Sequence, residues 1–452
     1  MRRLFGTDGV RGRANVEPMT GETAMKLGRA AAFVFQRQSG GRHRIVIGKD
    51  TRLSGYMLES ALTAGLCSMG VDVLLVGPMP TPAVAFLTRS FRADAGVVIS
   101  ASHNPFDDNG IKFFCRNGFK LPDNVERDIE RHLSSETISA VRPTAAAIGK
   151  AFRIDDAEGR YVEYVKNSLP KGFDFEGMKV VVDCAHGAAY KVAPTILREL
   201  GAAVTAIGNA PNGVNINLNC GAVHPEPLQK AVVEMGADIG IAHDGDADRV
   251  LFVDAQGRVI DGDAVLAAFA LALQRAGTLK GDAMVATVMS NMGLEIALRA
   301  AGVRVLRSDV GDRYVLEQMV KAGLNFGGEP SGHVVFLDHH TTGDGLITAV
   351  QFLRLMKESG KSASELSACM TRLPQVLLNV PVRRKDPLSA IPGMAARIED
   401  CEARLNGQGR LLVRYSGTEA LLRVMVEGED ATNILAMAES IAHLAEKHLG
   451  GS

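Results

Sequence analysis

Three aspartates, Asp244, Asp246 and Asp248, stand at alternate positions in Asp244-Gly245-Asp246-Ala247-Asp248-Arg249, and Ser102 stands in Ala101-Ser102-His103-Asn104-Pro105 directly after an apolar run. On an extended loop this spacing turns the carboxylates the same way, and carboxylates so crowded repel unless a cation joins them. The sixth and twelfth positions counted from Asp244 are Arg249 and Ala255, not Gly and Glu, so this is not an EF-hand loop. Three protein oxygens leave a coordination position open, as Mg²⁺ beside a phosphate prefers. A hydroxyl nucleophile with such a cage is the equipment of metal-assisted phosphoryl transfer. No G-x-S-x-G elbow surrounds Ser102, which argues against a serine hydrolase. A solvated acidic turn is the competing reading of the aspartates.

Further segments add polar chemistry. Lys112 follows Ser102 in Asp107-Asp108-Asn109-Gly110-Ile111-Lys112 and can sit over a phosphate or assist proton transfer. Gly328-Glu329-Pro330-Ser331-Gly332-His333 combines an acceptor with two donors in a tight turn, which suits a polyhydroxylated ring. Arg414-Tyr415-Ser416-Gly417-Thr418 has the ingredients of an anion nest, with Arg423 on the next strand. Arg11 ends a Gly-rich stretch that is neither a Walker loop nor G-x-G-x-x-G, yet it can reach a phosphate. His339-His340 before Thr341-Thr342-Gly343-Asp344-Gly345 is left without a role.

The elements that must position these residues repeat three times. An apolar strand, a Gly-containing loop, an amphipathic helix, a Gly and a second apolar strand run from Ile45 to Val76, from Val180 to Ile207 and from Met284 to Leu306. A helix and another apolar strand follow each copy, at Ala95–Ile99, Ile239–Ala242 and Leu324–Phe326, and the loops of Ser102, Asp244 and Glu329 come directly after them. In open α/β sheets ligands gather beyond the carboxyl ends of strands, so three such domains would bring one loop each to a common cleft. The last stretch reads as a smaller α+β unit: strands at Val376–Val382, Leu411–Tyr415 and Leu421–Glu427, and helices near Ala390–Leu405 and Thr432–His448. The expected domains are 1–154, 155–256, 257–370 and 371–452, carrying in turn the serine, metal, sugar and phosphate loops.

The chain has 452 residues, 46% hydrophobic and 22% charged, with a net charge of −1, 5% aromatics and no Trp. Nothing in that balance argues for nucleic acid or an anionic membrane. The six cysteines form no C-x-x-C pair, and no signal-peptide core or long apolar run is present, so a cytoplasmic protein with free thiols is expected.

Five segments in order resemble the loops of the α-D-phosphohexomutase superfamily: Phe5-Gly6-Thr7-Asp8-Gly9-Val10-Arg11-Gly12, Ala101–Pro105, Asp244–Arg249, Gly328–His333 and Arg414–Glu419. The resemblance spans the full chain. It implies an α/β fold: three related mixed-sheet α/β/α domains and a C-terminal TATA-binding-protein-like α+β domain around a central cleft. It implies an enzyme phosphorylated on Ser102 that converts glucosamine 6-phosphate to glucosamine 1-phosphate through a 1,6-bisphosphate, feeding UDP-N-acetylglucosamine synthesis. One Mg²⁺ per chain would be held by Ser102, Asp244, Asp246 and Asp248, and a hexose 1,6-bisphosphate would serve as activator and intermediate. Arg11 and Lys112 would complete the charge at the reacting phosphate. Glu329, Ser331, His333 and Arg249 would bind substrate, and Arg414, Ser416, Gly417, Thr418 and Arg423 the other phosphate. The partner is a small amino sugar phosphate, not nucleic acid or membrane, and the chain is expected to be a monomer or homodimer. Rival readings are phosphomannomutase or phosphoglucomutase chemistry on the same scaffold, a non-catalytic sugar-phosphate sensor, and a phosphatase.

Overall fold

The computed structural model describes residues 4–6, 8–37, 41–133, 135–416 and 420–450. Two compact units are present: residues 1–288 with 306–367, and residues 289–305 with 368–452.

The first unit contains three sheets. The first is built from β1 (Val10–Arg13), β2 (Arg44–Lys49), β3 (Asp72–Pro78), β4 (Ala95–Ile99), β5 (Asp108–Cys115) and β6 (Ala151–Arg153), in the order β1-β5-β4-β2-β3-β6. The second comprises β7 (Lys179–Asp183), β8 (Ala203–Ile207), β9 (Ile239–His243), β10 (Val250–Asp254) and β11 (Val259–Ile260), in the order β11-β10-β9-β7-β8. The third comprises β12 (Ala283–Thr287), β13 (Arg304–Ser308), β14 (Phe326–Gly328) and β15 (Val334–Phe336), in the order β13-β12-β14-β15. At the centre of the first two sheets β2 runs parallel to β4 and β7 to β9, and these strands are buried and rich in Val and Ile. Helices cover them, and the linking glycines Gly70 and Gly201 take positive φ, which lets the chain reverse from helix to strand.

The three loops singled out by the sequence are turns of antiparallel hairpins rather than strand-to-helix connections. β4 pairs antiparallel with β5 around Ser102, β9 with β10 around the aspartates, and β14 with β15 around Glu329. The returning strands were not expected; β5 opens on the polar stretch Asp108-Asn109-Gly110. In the structure Asn109 and Lys112 are buried, their polar groups paired with other segments. β14 begins two residues later than the apolar run suggested, at Phe326.

Thr341–Gly345 leads into the buried helix Gly345–Ser359. Asp344 caps it, accepting from the Leu346 and Ile347 N–H groups at 2.9 and 3.0 Å and from the Tyr161 hydroxyl at 2.8 Å. Such a cap stabilises a helix by about 0.5–2 kcal/mol. A Cβ on Gly345 would come within 2.6 Å of the Arg249 carbonyl oxygen, so this stretch also seats the aspartate loop. Among the described residues no helix is long and apolar enough to cross a membrane.

His340 is buried with both ring nitrogens in use: Nε2 lies 3.0 Å from the Pro82 carbonyl oxygen, and Nδ1 accepts from the Thr342 N–H at 3.3 Å. That pattern selects the neutral ring, and burial lowers its pKa from 6.5 to about 3. An unfolded chain therefore takes up a proton below pH 6.5 that the folded chain refuses. The stability owed to this group is complete above pH 6.5 and falls as the pH drops toward about 3. Between pH 6.5 and 5 the loss should approach about 2 kcal/mol, and His340→Asn should be less pH-sensitive by that amount in denaturant titrations. Equal pH slopes for the two proteins would refute this.

The second unit has one antiparallel sheet, β16 (Gln375–Pro381), β17 (Arg410–Tyr415) and β18 (Leu421–Glu427), in the order β16-β18-β17. The helices Met394–Leu405 and Ala431–Leu449 bury Met394, Ile434, Met437 and Ile441 with Val424 and Val426 of β18. The helix Met292–Ala300, expected with the third repeat, groups with this unit. Its cap residue Asn291 donates to the Leu373 carbonyl at 3.1 Å, and the Met292 N–H donates to Glu427 at 3.2 Å.

Candidate active site

Ser102 sits at the β4–β5 turn with φ of +51°, a left-handed conformation uncommon outside glycine. Its buried Oγ donates to Asp244 Oδ2 at 2.6 Å. The two loops meet closely: a Cβ on Gly245 would lie 2.5 Å from the Ser102 carbonyl oxygen. Glycine is required here for approach, not for its dihedral freedom.

Asp244, Asp246 and Asp248 are all buried, and one oxygen of each falls within 4.8 Å of the others. They converge on a tight turn, with Ala247 at φ of +56°, and not on the extended loop the spacing suggested. Asp246 Oδ2 is occupied: Thr81 Oγ1 donates to it at 2.6 Å and Lys112 Nζ at 2.9 Å. Among the described residues, Asp246 Oδ1 and Asp248 Oδ1 are buried without a hydrogen-bond partner. Orphaned carboxylate oxygens are costly, and hard oxygens converging at this spacing fit a hard divalent cation. Burial, reinforced by Asp248 and Asp246, holds the Asp244 pKa well above the usual carboxylate range. Burial works the same way on Asp246, but Lys112 and the Thr81 bond overcome it and hold that carboxyl low. The cluster thus keeps one carboxyl reluctant to ionise until a cation is present.

Positive charge surrounds these oxygens. Arg11 on β1 lies opposite Gly110 of β5 and pairs with Asp8. Lys112 is buried between Asp246 and Asp8, the latter at 3.2 Å, and although burial opposes its charge those carboxylates hold its pKa well above the usual lysine range. Lys112 therefore stays an ammonium and contributes charge, not proton removal. Arg249 Nη1 reaches His103 Nδ1 at 3.3 Å. Burial would depress His333, but Asp248 at 3.6 Å, with Asp312 and Glu329, raises it to about 9, so it is cationic at neutral pH.

A cavity of about 430 Å³ opens here, and its walls include Asp8, Arg11, Ser102, Asp248, Arg249, Asp312, Glu329 and His333. The volume suits a sugar phosphate. Glu329 accepts from the Gly311 N–H at 3.1 Å. Ser331, expected beside it, is exposed on the same turn and does not line the cavity. Three residues of the site were not proposed from sequence. Asp8, Lys120 and Asp312 form a chain in which Lys120 Nζ bonds both carboxylates. Their separations of 112 and 192 residues leave no local signal.

In the second unit Arg414 and Arg423 stand directly opposite each other on β17 and β18 and line a small cavity with Met289, Leu377, Leu412 and Met425. Two facing guanidiniums make an anion-attracting surface. The Ser416 carbonyl accepts from Lys385 Nζ at 2.6 Å. Gly417 and Thr418 lie outside the described residues.

Residues 2–139, 159–257 and 261–373 match phosphoglucomutase/phosphomannomutase alpha/beta/alpha domains I, II and III, and residues 377–444 match the C-terminal domain of that family. Among solved structures, a phosphoglucomutase/phosphomannomutase family protein of Burkholderia thailandensis aligns with TM-score 0.81 at 24% identity, covering 100% of this chain and 99% of that one. An Aspergillus fumigatus N-acetylphosphoglucosamine mutase, solved with GlcNAc-6P and magnesium, aligns with TM-score 0.69 at 18% identity over 99% and 96%. The chain belongs to the phosphohexomutase superfamily. Phosphoglucosamine mutases of Geobacter sp. (strain M21) and Anaeromyxobacter sp. (strain Fw109-5) are 60% and 58% identical to it, over 100% and 99% of this chain and 99% and 96% of theirs. That places it among the phosphoglucosamine mutases, which are isomerases.

Proposed function

We propose that the chain interconverts glucosamine 6-phosphate and glucosamine 1-phosphate with Ser102 as the phosphoryl carrier. The observation that supports this most directly is the Ser102 hydroxyl, 2.6 Å from Asp244, beside buried carboxylate oxygens that lack partners among the described residues, and facing a cavity lined with cations. The phosphoryl group on Ser102 Oγ passes to O1 of glucosamine 6-phosphate. The serine P–O bond breaks, a P–O bond to the sugar forms, and the proton lost from O1 ends on the freed Ser102 Oγ, restoring the hydroxyl. The resulting 1,6-bisphosphate turns over in the site and returns its 6-phosphoryl group to Ser102, freeing glucosamine 1-phosphate. The same bisphosphate would recharge an enzyme that has lost its phosphate.

Asp244, Asp246, Asp248 and an oxygen of the Ser102 phosphate would hold one Mg²⁺, which when bound would neutralise charge on the transferring group. Arg11 and Lys112 complete that neutralisation. Glu329, His333 and Arg249 grip the sugar, with Ser331 on the same turn as Glu329. Arg414, Ser416, Gly417, Thr418 and Arg423 are assigned the phosphate that is not reacting. The product would feed UDP-N-acetylglucosamine synthesis in the cytoplasm, with the chain acting as a monomer or homodimer.

Turnover of glucosamine, glucose and mannose 6-phosphates, each with its 1,6-bisphosphate, tests the assignment. The amino sugar should be preferred in kcat/KM by at least about 100-fold, a margin that polar recognition of one substituent can supply. Equal or reversed preference would favour the glucose or mannose enzyme. No turnover would indicate a sensor, and steady release of inorganic phosphate a phosphatase.

A further inference from the structure

We propose that Arg52 is a positioning residue for phosphoryl transfer: its guanidinium fixes the backbone that aims Ser102 Oγ, without touching substrate. The inference rests on Ser102 being the phosphoryl carrier. Arg52 is fully buried and does not line the cavity. Its Nε donates to Asp50 Oδ2 at 2.8 Å. Nη1 donates to the carbonyl oxygens of Pro105 and, at 3.1 Å, Asp108. Nη2 donates to those of Ser102 at 2.9 Å and Asn104 at 2.8 Å. A guanidinium has five N–H donors, and here each has an acceptor, four of them on the loop that carries the nucleophile.

The other side of Ser102 is held through the same carboxylate. The Ser102 N–H donates to Ser100 Oγ at 2.9 Å, and that hydroxyl donates to Asp50 Oδ2 at 2.6 Å. Asn217 Nδ2 adds a second donor to the Ser102 carbonyl at 2.9 Å. A left-handed serine persists only where its surroundings over-determine it. Arg52 and Asp50 supply that determination at both peptide groups of Ser102. No lysine reproduces it, since an ammonium has three donors and no planar fork.

Arg52→Lys keeps the charge opposite Asp50 and removes the fan of bonds. With glucosamine 6-phosphate and bisphosphate, kcat should fall by about 100-fold, as misplacement of a reacting atom by about 1 Å does, while KM stays within about threefold. A purely structural role would lower kcat only in step with the folded fraction, so melting curves are recorded on the same samples. Unchanged kcat in a folded variant, or a raised KM with unchanged kcat, would overturn the proposal. Should Arg52→Lys fail to fold, Ser100→Ala removes the acceptor for the Ser102 N–H together with its link to Asp50. It should lower kcat by about tenfold with KM unchanged, and full activity there would also overturn the proposal. A parallel Ser102→Ala sample separates the two hypotheses. Activity in that sample refutes the carrier itself, whereas an inactive Ser102→Ala beside a fully active Arg52→Lys refutes only the role of Arg52.

Discussion

Ser102→Ala should lose mutase turnover by at least about 10⁴-fold, the scale seen when a covalent nucleophile is removed. The loss should be chemical rather than structural. The loop is held through the Ser102 backbone, by Arg52 and Asn217 at the carbonyl and Ser100 at the N–H, and none of these bonds needs the hydroxyl. The side chain contributes a bond to buried Asp244. Because burial already favours the neutral form of that carboxyl, loss of one donor should shift the melting temperature by only a few degrees. Peptide mass spectrometry of the intact chain isolated from cells should find one phosphoryl group, in part of the molecules, on the peptide containing Ser102. A phosphate on any other residue, or turnover surviving in Ser102→Ala, would refute the carrier role.

Strand-helix repeats were legible because apolar runs punctuated by glycine survive as sequence pattern. Hence β2, β3 and β4, and β7, β8 and β9, lie within a residue or two of where the runs place them. Strands β5, β10 and β15 return from the functional turns and were not expected; β10 (Val250–Asp254) and β15 (Val334–Phe336) are plain apolar runs that fall outside the repeat, and only in β5 is the apolar pattern broken by polar residues. β5 carries Lys112, buried against Asp246, where pattern alone reads a charged surface. Residue types near the site were legible for the same reason that its wiring was not. Asp244, Asp246 and Asp248 announce a cation by proximity in the chain. Thr81, whose hydroxyl turns Asp246 so that Oδ1 is free, is 165 residues away and looks like any helix-opening threonine. Arg52 looks like a surface arginine beside an aspartate. Only burial shows that its charge is spent on backbone carbonyls. The segment Met289–Val305 shows the limit of repeat reasoning. Its strand-helix pattern belongs to the third copy, yet Gly293 packs so tightly that a Cβ would meet the Thr371 carbonyl oxygen at 2.0 Å, within the second unit.

Asp246→Asn should leave substrate affinity within a few fold while lowering kcat by about 10³-fold or more, because its charge matters most where phosphoryl charge develops. The amide keeps the size of the side chain and one acceptor, which can still receive Thr81 Oγ1. It removes the negative charge facing Lys112 and puts an N–H₂ group where an oxygen lone pair now points. Lys112 retains Asp8 as a partner at 3.2 Å, so the fold should survive. Cation binding should suffer independently of turnover. Millimolar Mg²⁺ should raise the melting temperature of the intact chain by mass action on the folded state, and this shift should shrink or vanish in Asp246→Asn. Thr81→Val should fall between the two: it keeps the charge but frees the carboxylate to rotate, and loss of such a support costs metal affinity about 10–100-fold. Exhaustive chelation of the intact enzyme should stop turnover, and added Mg²⁺ should restore it. Full activity after metal removal, or an Asp246→Asn protein with the same Mg²⁺-dependent stabilisation as the intact chain, would show that the three aspartates serve the fold and not the reaction.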